Sequence, residues 1–148
     1  MIKFFWETKN TLLSLFSLRT VGARTLVLQN DHILLVKHTY LPGWYTIGGG
    51  VDAGESGLQA LIRELKEEVG VILHESPSIL GFYHNPYEKR DDYVVVYVCK
   101  EFEKKEVVSK EILEARWFPL NALPPDISPA TKRRIEEYLG RRPLSDVW

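Results

Sequence analysis

Three glutamates in one short stretch of the sequence have the spacing needed to bind a metal ion together. Glu67 and Glu68 lie three and four residues after Glu64, so a helix would place all three carboxylates on one face. Like charges in this arrangement repel, at about 0.2–0.5 kcal/mol per pair on an exposed helix. A divalent cation would offset that repulsion, and clustered oxygen ligands suit Mg²⁺ or Mn²⁺. An acidic run is more often a solvated helix face, so the surrounding residues decide between the two interpretations.

The residues on either side of the glutamates predict a helix with defined ends. Ser56 and Gln59 form the pattern of a capping box, and Gly70 stands where a glycine typically ends a helix. Apolar residues recur at helical spacing and predict a buried stripe, namely Leu58, Leu61, Ile62, Leu65 and Val69. The carboxylates then project from another face, beside a glycine-rich turn that we expect at 48–50. This context favours the metal site.

A longer pattern of fixed residues around the glutamates resembles the Nudix box. The box is a glycine, five residues, a glutamate, seven residues and then Arg-Glu-aliphatic-x-Glu-Glu-x-Gly-aliphatic. The chain matches every fixed position, with Gly49, Glu55, Arg63, Glu64, Leu65, Glu67, Glu68, Gly70 and Val71. Further along, Arg116-Trp117-Phe118-Pro119-Leu120 and Leu123-Pro124 resemble the closing strand and turn of the family. The resemblance extends over about residues 20–140 and implies an α/β fold, a Nudix-type α/β/α sandwich with a mixed β-sheet between helices.

The resemblance also implies the chemistry, because Nudix proteins hydrolyse a diphosphate that joins a nucleoside to a second group. It implies that Mg²⁺ or Mn²⁺ is the cofactor and that its ligands are Glu64, Glu67, Glu68 and the backbone carbonyl of Gly48. Bound metal ions neutralise charge on phosphoryl oxygens and lower the pKa of a bound water. By the same resemblance, Arg63 acts in catalysis by holding a glutamate in a bidentate contact, which would fix the orientation of that carboxylate.

Many relatives use one more glutamate, as a ligand or general base, from a loop before the closing strand. Glu111, six residues before Trp117, is our candidate, with Glu114 second and Glu88 third. Each is otherwise an ordinary exposed acid. Family members differ over which glutamate accepts the proton, so the general base stays open.

Several aromatic residues are candidates for stacking on the substrate's base, although ordinary core packing is the alternative for each. They are Trp44, Tyr45, Phe82, Tyr83 and Tyr87. The substrate hints conflict, because Pro86 matches a proline of ADP-ribose-hydrolysing relatives and Tyr87 a tyrosine of diadenosine-polyphosphate hydrolases. We favour ADP-ribose-like or sugar-nucleotide substrates.

The alternatives within the fold are a hydrolase of nucleoside triphosphates or dinucleoside polyphosphates and a non-hydrolytic nucleotide sensor. A pure sensor has no need of three mutually repelling glutamates, which argues against it. A Nudix-fold isomerase of isoprenoid diphosphates relies on a catalytic cysteine, whereas the single Cys99 falls in a predicted buried strand. Removal of pyrophosphate from RNA 5′ ends gains no support from a net charge of −1.

Length and composition indicate one globular domain over residues 1–148, with 20–140 as core and 141–148 as a frayed tail. The single cysteine fits a reducing cytoplasm, and no apolar run is long enough to span a membrane. We expect a small-molecule nucleotide substrate and no stable nucleic acid partner. Residues 1–19 predict an N-terminal amphipathic helix that packs on the domain or in a homodimer, with binding to a membrane surface as the alternative.

Short apolar runs between turn signals predict the remaining elements. We expect a hairpin turning at Asn30-Asp31, a buried central strand rich in β-branched residues and a last helix capped by Ser128 and ended by Gly140. The predicted strands are Val21–Leu28, Ile33–His38, Tyr45–Ile47, Ile79–Tyr83, Tyr93–Cys99 and Ala115–Phe118, and the last helix is Ser128–Leu139.

Overall fold

The computed structural model describes residues 7–8, 19–86 and 91–148. Most of the expected N-terminal helix, together with Tyr87 and Glu88, lies outside these ranges. The described residues form eight strands and two main helices. The strands are β1 (Arg19–Gln29), β2 (His32–His38), β3 (Ile47–Gly50), β4 (Val71–Leu73), β5 (Ser78–Asn85), β6 (Asp91–Cys99), β7 (Phe102–Lys104) and β8 (Ile112–Pro119). The helices are α1 (Gly57–Val69) and α2 (Pro129–Tyr138).

The strands form a mixed sheet in the order β5-β6-β1-β2-β8, with β3 paired to β1 beside β2. β1 runs parallel to β6 and antiparallel to β2 and β3. The turn between β1 and β2 is the predicted one, and Asn30 and Asp31 both have left-handed φ values, +48° and +58°. Strands β4 and β7 form a separate two-stranded sheet. The buried β6 lies inside the large sheet, as its apolar sequence predicts.

Two apolar cores cover the two faces of the large sheet, so the expected α/β/α sandwich is confirmed. One core joins the sheet to α1 through Leu61, Leu65 and Val69. The other joins the opposite face to α2 through Ile135. Because β-strand side chains alternate between faces, neighbouring residues of one strand contribute to different cores. No helix of the described part of the chain is both long and apolar enough to cross a membrane.

Helix α1 has the ends that the sequence predicts. Ser56 Oγ accepts a hydrogen bond from the backbone N–H of Gln59, and the Gln59 side chain accepts one from the N–H of Ser56. Gly70 closes the helix at a left-handed φ of +68°. One member of the predicted apolar stripe is wrong, because Ile62 is 48% exposed. It lies at the edge of the stripe, on a side of the helix that the sheet does not cover.

The predicted glycine turn is wrong, since residues 48–50 form most of β3 and pair with β1. A Cβ on Gly48, whose φ is +132°, would lie 2.1 Å from the carbonyl oxygen of Ala23. The glycines therefore allow close backbone pairing, and α1 begins only after a further loop. The predicted strand at Tyr45–Ile47 is displaced for the same reason, because Trp44 and Tyr45 make only isolated bridges.

The C-terminal tail is not frayed. The backbone N–H of His84 in β5 donates to the carbonyl of Asp146 at 2.7 Å, and the N–H of Trp148 donates back to the carbonyl of His84 at 2.9 Å. The Trp148 ring packs edge-on against Tyr83, with ring centroids 6.0 Å apart. The tail thus adds backbone pairing to the edge strand of the sheet, which the polar sequence before it does not indicate.

Candidate active site

Helix α1 presents its three box glutamates in three different environments. Glu68 is buried, with 6% of its surface exposed. The side chain of Glu64 is 13% exposed and that of Glu67 is 63% exposed. All three line an open cleft of about 820 Å³ between α1 and the loop that ends at Glu111. The prediction that the three carboxylates share one side of the helix is confirmed.

Burial sets the protonation of Glu68. Its carboxylate accepts a hydrogen bond from the backbone N–H of Gly48 at 3.1 Å. Burial raises the pKa of Glu68 to about 8, while the positive charge of Arg24 and the Gly48 N–H oppose the rise. The nearby charges of Glu64 and Glu111 raise this pKa further. A carboxyl of this kind gains most from a cation that arrives beside it.

Arg63 organises the carboxylates at the mouth of the cleft. Its guanidinium makes a bidentate contact with Glu55, at 2.8 Å from Nε and 2.9 Å from Nη2. This contact lowers the pKa of Glu55 to about 2. Nη1 donates to Glu64 at 2.6 Å, and Nη2 also reaches the carbonyl of Gly50 at 3.1 Å. Arg63 therefore ties α1 to the end of β3 and holds Glu64 in place.

Glu64 can approach the sheet closely only because the residue that faces it, Gly49, has no side chain. A Cβ on Gly49 would lie 2.4 Å from Oε1 of Glu64. Burial raises the pKa of Glu64, against the lowering effect of Arg63 and Arg24. Gly49 thus makes room for the carboxylate of Glu64.

Three further residues surround the glutamates, and the sequence analysis did not assign them to the site. Arg24 of β1 donates a hydrogen bond to the carbonyl of Gly48, the same carbonyl that the family resemblance makes a metal ligand. Burial raises the pKa of Tyr40, and the charges of Glu111, Glu68 and Glu64 raise it further. Burial and the charge of Arg24 lower the pKa of His38 to about 4. A sequence signal exists for Arg24, because it is a charged residue within the apolar run of β1.

The donor atoms fit a hard divalent cation, although they are not gathered around a single point. Among the described residues, no three His, Cys, Asp or Glu side chains are positioned to hold an ion together. Arg63 holds Glu64, and Gly48 holds Glu68. The two guanidiniums of Arg24 and Arg63 provide the positive charge beside these carboxylates. A cation would replace part of this charge, and carboxylate and carbonyl oxygens are the ligands that Mg²⁺ and Mn²⁺ prefer.

The candidate general bases differ in their position relative to the cleft. Glu111 lines the cleft with the box glutamates, and its carbonyl accepts a hydrogen bond from the N–H of Thr39 at 2.9 Å. Glu114, two residues into β8, forms an ion pair with Arg116 outside the cleft. Glu88 lies outside the described residues.

The aromatic candidates differ in how deeply they are buried. Trp44 is buried against Phe118, with ring centroids 4.7 Å apart, and Tyr83 is fully buried with its hydroxyl bonded to Glu137. Neither ring has an open face on which a base could stack, so both rings belong to ordinary core packing. Tyr45 is half-buried beside His38, at 5.6 Å between centroids, and Phe82 is 56% exposed. Tyr87 is not among the described residues.

Comparison with known proteins identifies the family. The family model of the NUDIX domain matches residues 18–139, so the chain belongs to the Nudix family. It is 36% identical over 123 residues to the NAD-capped RNA hydrolase NudC of Pseudomonas aeruginosa, which covers 79% of this chain and 43% of that protein. It is 32% identical over 109 residues to the ADP-ribose pyrophosphatase of Methanocaldococcus jannaschii, covering 70% of this chain and 64% of the relative.

Solved structures agree with the family assignment. The MutT NUDIX hydrolase from Burkholderia pseudomallei superposes with a TM-score of 0.71 at 28% identity, covering 81% of this chain and 98% of that one. The matched region therefore spans nearly all of the Burkholderia structure but less than half of the Pseudomonas relative. The shared part is the Nudix domain that carries the box.

Proposed function

We propose that this protein is a divalent-metal-dependent pyrophosphohydrolase that cleaves a nucleoside diphosphate linked to another group. The observation that carries the proposal is the pair of desolvated carboxylates, Glu64 and Glu68, on the cleft wall that Glu111 also lines. Buried carboxylates beside one another are costly unless a positive charge joins them. Metal ions that neutralise these carboxylates would favour the binding of an anionic diphosphate in the cleft.

The side chains have separable roles in this proposal. Glu64, Glu67 and Glu68, with the carbonyl of Gly48, would hold Mg²⁺ or Mn²⁺. The bound metal supplies charge neutralisation and a more acidic water. Arg63 orients Glu64 and keeps Glu55 ionised through its bidentate contact.

Glu111 is the best-placed candidate for the group that takes a proton from the attacking water. It enters the cleft from the loop opposite α1, so it can approach the substrate from a side that the box glutamates do not reach. Its position at the start of β8 is anchored by the hydrogen bond from Thr39. We therefore place Glu111 ahead of Glu114, whose partner is Arg116.

The substrate class that we propose is a nucleoside diphosphate linked to a sugar, such as ADP-ribose or a sugar nucleotide. Two relatives support it, because one is named for NAD-capped RNA and the other for ADP-ribose. Both ligands contain a nucleoside diphosphate joined to a second ribose unit. Nucleoside triphosphates are the alternative, and a Bacillus subtilis relative named as a putative 8-oxo-dGTP diphosphatase, 32% identical over 120 residues, favours testing them.

The deciding experiment is a substrate screen with the purified protein. ADP-ribose, NADH, UDP-sugars, diadenosine polyphosphates and nucleoside triphosphates are incubated with Mg²⁺ or Mn²⁺, and the nucleoside monophosphates and phosphates released are separated by chromatography. We expect cleavage of the diphosphate bridge in ADP-ribose or a sugar nucleotide, and none in EDTA. Turnover of triphosphates alone would refute the substrate class, and absence of any turnover would favour a nucleotide sensor.

Two matched variants test the general base. Glu111→Gln should lower kcat by about 10²–10⁴-fold, the usual contribution of a positioned acid or base. Glu114→Gln removes the competing candidate and should leave most of the activity. Glu136→Gln on α2 is the control for loss of one surface carboxylate. If Glu111→Gln retains full kcat, the base lies elsewhere, and Glu88→Gln becomes the variant to measure.

A further inference from the structure

An apolar surface lies on the α1 face of the sheet, away from the cleft. It consists of Val21, Ile79, Phe82 and Tyr93, which we call the β5 patch. Val21 is 40% exposed, Ile79 63% and Phe82 56%. The rings of Phe82 and Tyr93 stack at 5.5 Å with an interplanar angle of 14°. Large apolar side chains grouped in this way mark a contact surface more often than singly exposed ones do.

The strand register shows that these side chains share one face. Val21 of β1 is the partner of Tyr93 in β6, and Tyr93 is in turn the partner of His84 in β5. Phe82 pairs with Val95, one step further along the same face of β6. The patch therefore crosses β1, β6 and β5, three strands spaced at about 4.8 Å.

The patch is separate from the active site. The cleft is lined by α1 residues 63–68 and by loop residues 107–111, and none of these belongs to the patch. The nearest part of α1 is its first turn, where a Cβ on Gly57 would lie 3.2 Å from the Val95 side chain. The cleft itself therefore does not account for the exposed rings.

Strand β1 begins at the margin of the patch. Arg19 is the first residue of β1 and forms an ion pair with Asp91 at 2.7 Å, and Val21 follows two residues later. Residues 1–18 are rich in large apolar side chains, which include Phe4, Phe5, Trp6, Leu12, Leu13, Leu15 and Phe16. Eighteen residues reach about 27 Å even when helical, which is more than the width of three strands.

We propose that residues 1–18 of the same chain dock on the β5 patch and cover it. The segment supplies the apolar side chains that the patch lacks as neighbours, and it is tethered two residues from Val21. A short tether gives a local concentration in the millimolar range, which favours this occupant over a second copy of the chain. Only Lys3 and Lys9 are basic in the segment, which gives a membrane surface little electrostatic attraction.

A double-mutant cycle on thermal stability tests the docking. The first change is deletion of residues 1–18, and the second is Phe82→Ser. We expect Phe82→Ser to lower the Tm of the full chain by about 3–6 °C more than it lowers the Tm of the shortened chain. The loss that remains in the shortened chain reports the Phe82–Tyr93 stacking alone. Equal losses in the two lengths would refute the docking.

The control is Leu113→Ser, because Leu113 is 70% exposed on β8 at the opposite edge of the sheet. It should lower the Tm equally in both lengths, and a length-dependent loss there would show a general effect of the deletion and overturn the proposal. If the shortened chain does not fold, Phe16→Ser replaces the deletion in the same cycle, with the same two outcomes.

Two further measurements separate the other occupants. Light scattering after size-exclusion chromatography should give the same oligomeric state for both lengths, whereas a dimer that dissociates on deletion would assign the patch to a second copy. Sedimentation with phosphatidylglycerol vesicles should leave the full chain in the supernatant. Binding that the deletion abolishes, without coupling to Phe82, would assign the segment to a membrane surface and overturn the proposal.

Discussion

Two clusters of arginine and glutamate lie on opposite faces of the sheet, one on each helix. On α2, the fully buried Arg134 donates from Nη2 to Glu137 at 3.0 Å, while its Nε lies 2.9 Å from the other carboxylate oxygen without hydrogen-bond alignment. On α1, Arg63 donates to Glu55 and Glu64 at the mouth of the cleft. The two clusters use the same residue types, and Arg63 and Glu64 of the second line the cleft.

The partners of the carboxylates explain the difference. Glu137 accepts hydrogen bonds from Arg134, from the hydroxyl of Tyr83 at 2.9 Å and from the N–H of Ser145 at 3.2 Å. The Arg134 guanidinium also stacks 3.9 Å from the Tyr83 ring centroid. The α2 cluster is thus completed by the protein itself and ties the tail to the sheet. The α1 cluster leaves carboxylates facing a cleft, in agreement with the catalytic role that we propose for it.

The largest effect that we expect concerns the α2 cluster. Arg134→Leu leaves the Glu137 carboxylate buried with part of its hydrogen bonding lost, which costs about 3–5 kcal/mol of unfolding free energy. Differential scanning calorimetry should show a Tm lower by about 6–20 °C, while kcat per folded molecule stays near the wild-type value. The exposed Arg141 provides the control, since Arg141→Leu should change the Tm little. A Tm unchanged by Arg134→Leu would contradict the structural role.

For the α1 cluster we expect the opposite result, a loss of activity without a loss of stability. Glu68→Gln should lower kcat by at least about a hundredfold, or about 2.7 kcal/mol, because charge stabilisation in the reaction is lost. The Tm should not fall, because the amide is neutral and burial already disfavours the charged form of Glu68. Steady-state assays and calorimetry on the same sample measure both quantities. Wild-type turnover in this variant would remove Glu68 from the active site.

Protonation of His38 should make one identifiable contribution to the loss of stability in acid, opposite in sign to that of Glu68. The folded pKa of His38, about 4, lies below the ordinary value of 6.5, so the unfolded chain binds more protons between these values. The stability is fully present above pH 6.5 and is lost as the pH falls toward 4. Between pH 8 and pH 5 the loss is about 1–2 kcal/mol. Urea unfolding of His38→Gln should lack this part of the pH dependence, and an unchanged slope would contradict it.

The smallest effect tests the geometry of the α1 cluster. Arg63→Lys keeps the positive charge and loses the bidentate contact with Glu55, because an ammonium group cannot make two parallel hydrogen bonds. We expect kcat to fall about tenfold, as for the loss of a group that orients a metal ligand, with little change in Tm. The reverse pattern, a lower Tm with full kcat, would make Arg63 a stabilising residue like Arg134.

The helix that carries the box was predictable because its signals are local. The capping box at Ser56, the apolar stripe and Gly70 are all short-range features, and each is present in the structure except for Ile62 of the stripe. The strand β3 was mistaken for a turn, because glycines usually indicate turns and the pairing of 48–50 with β1 depends on residues far away in the sequence. Arg24 was missed as a site residue for the same reason.

Burial was the least predictable property. Trp44 and Tyr83 had the residue type expected of a base pocket, yet both rings are packed in the core beneath α2. The run Lys132-Arg133-Arg134 has the composition of an exposed helix face, and Arg134 is nevertheless wholly buried. Residue type does not reveal which side of an element meets the core when distant segments such as the C-terminal tail decide it.

The sequence alone determined the family, the helix and the identity of the acidic residues, because these depend on residue types at fixed spacing along one segment. The tertiary structure decided which of those acids is buried, which arginine accompanies each of them and which aromatic rings remain exposed. These properties arise when β1, β3 and α1 pack together, since desolvation and the distance between charges are set by segments that are remote in the chain.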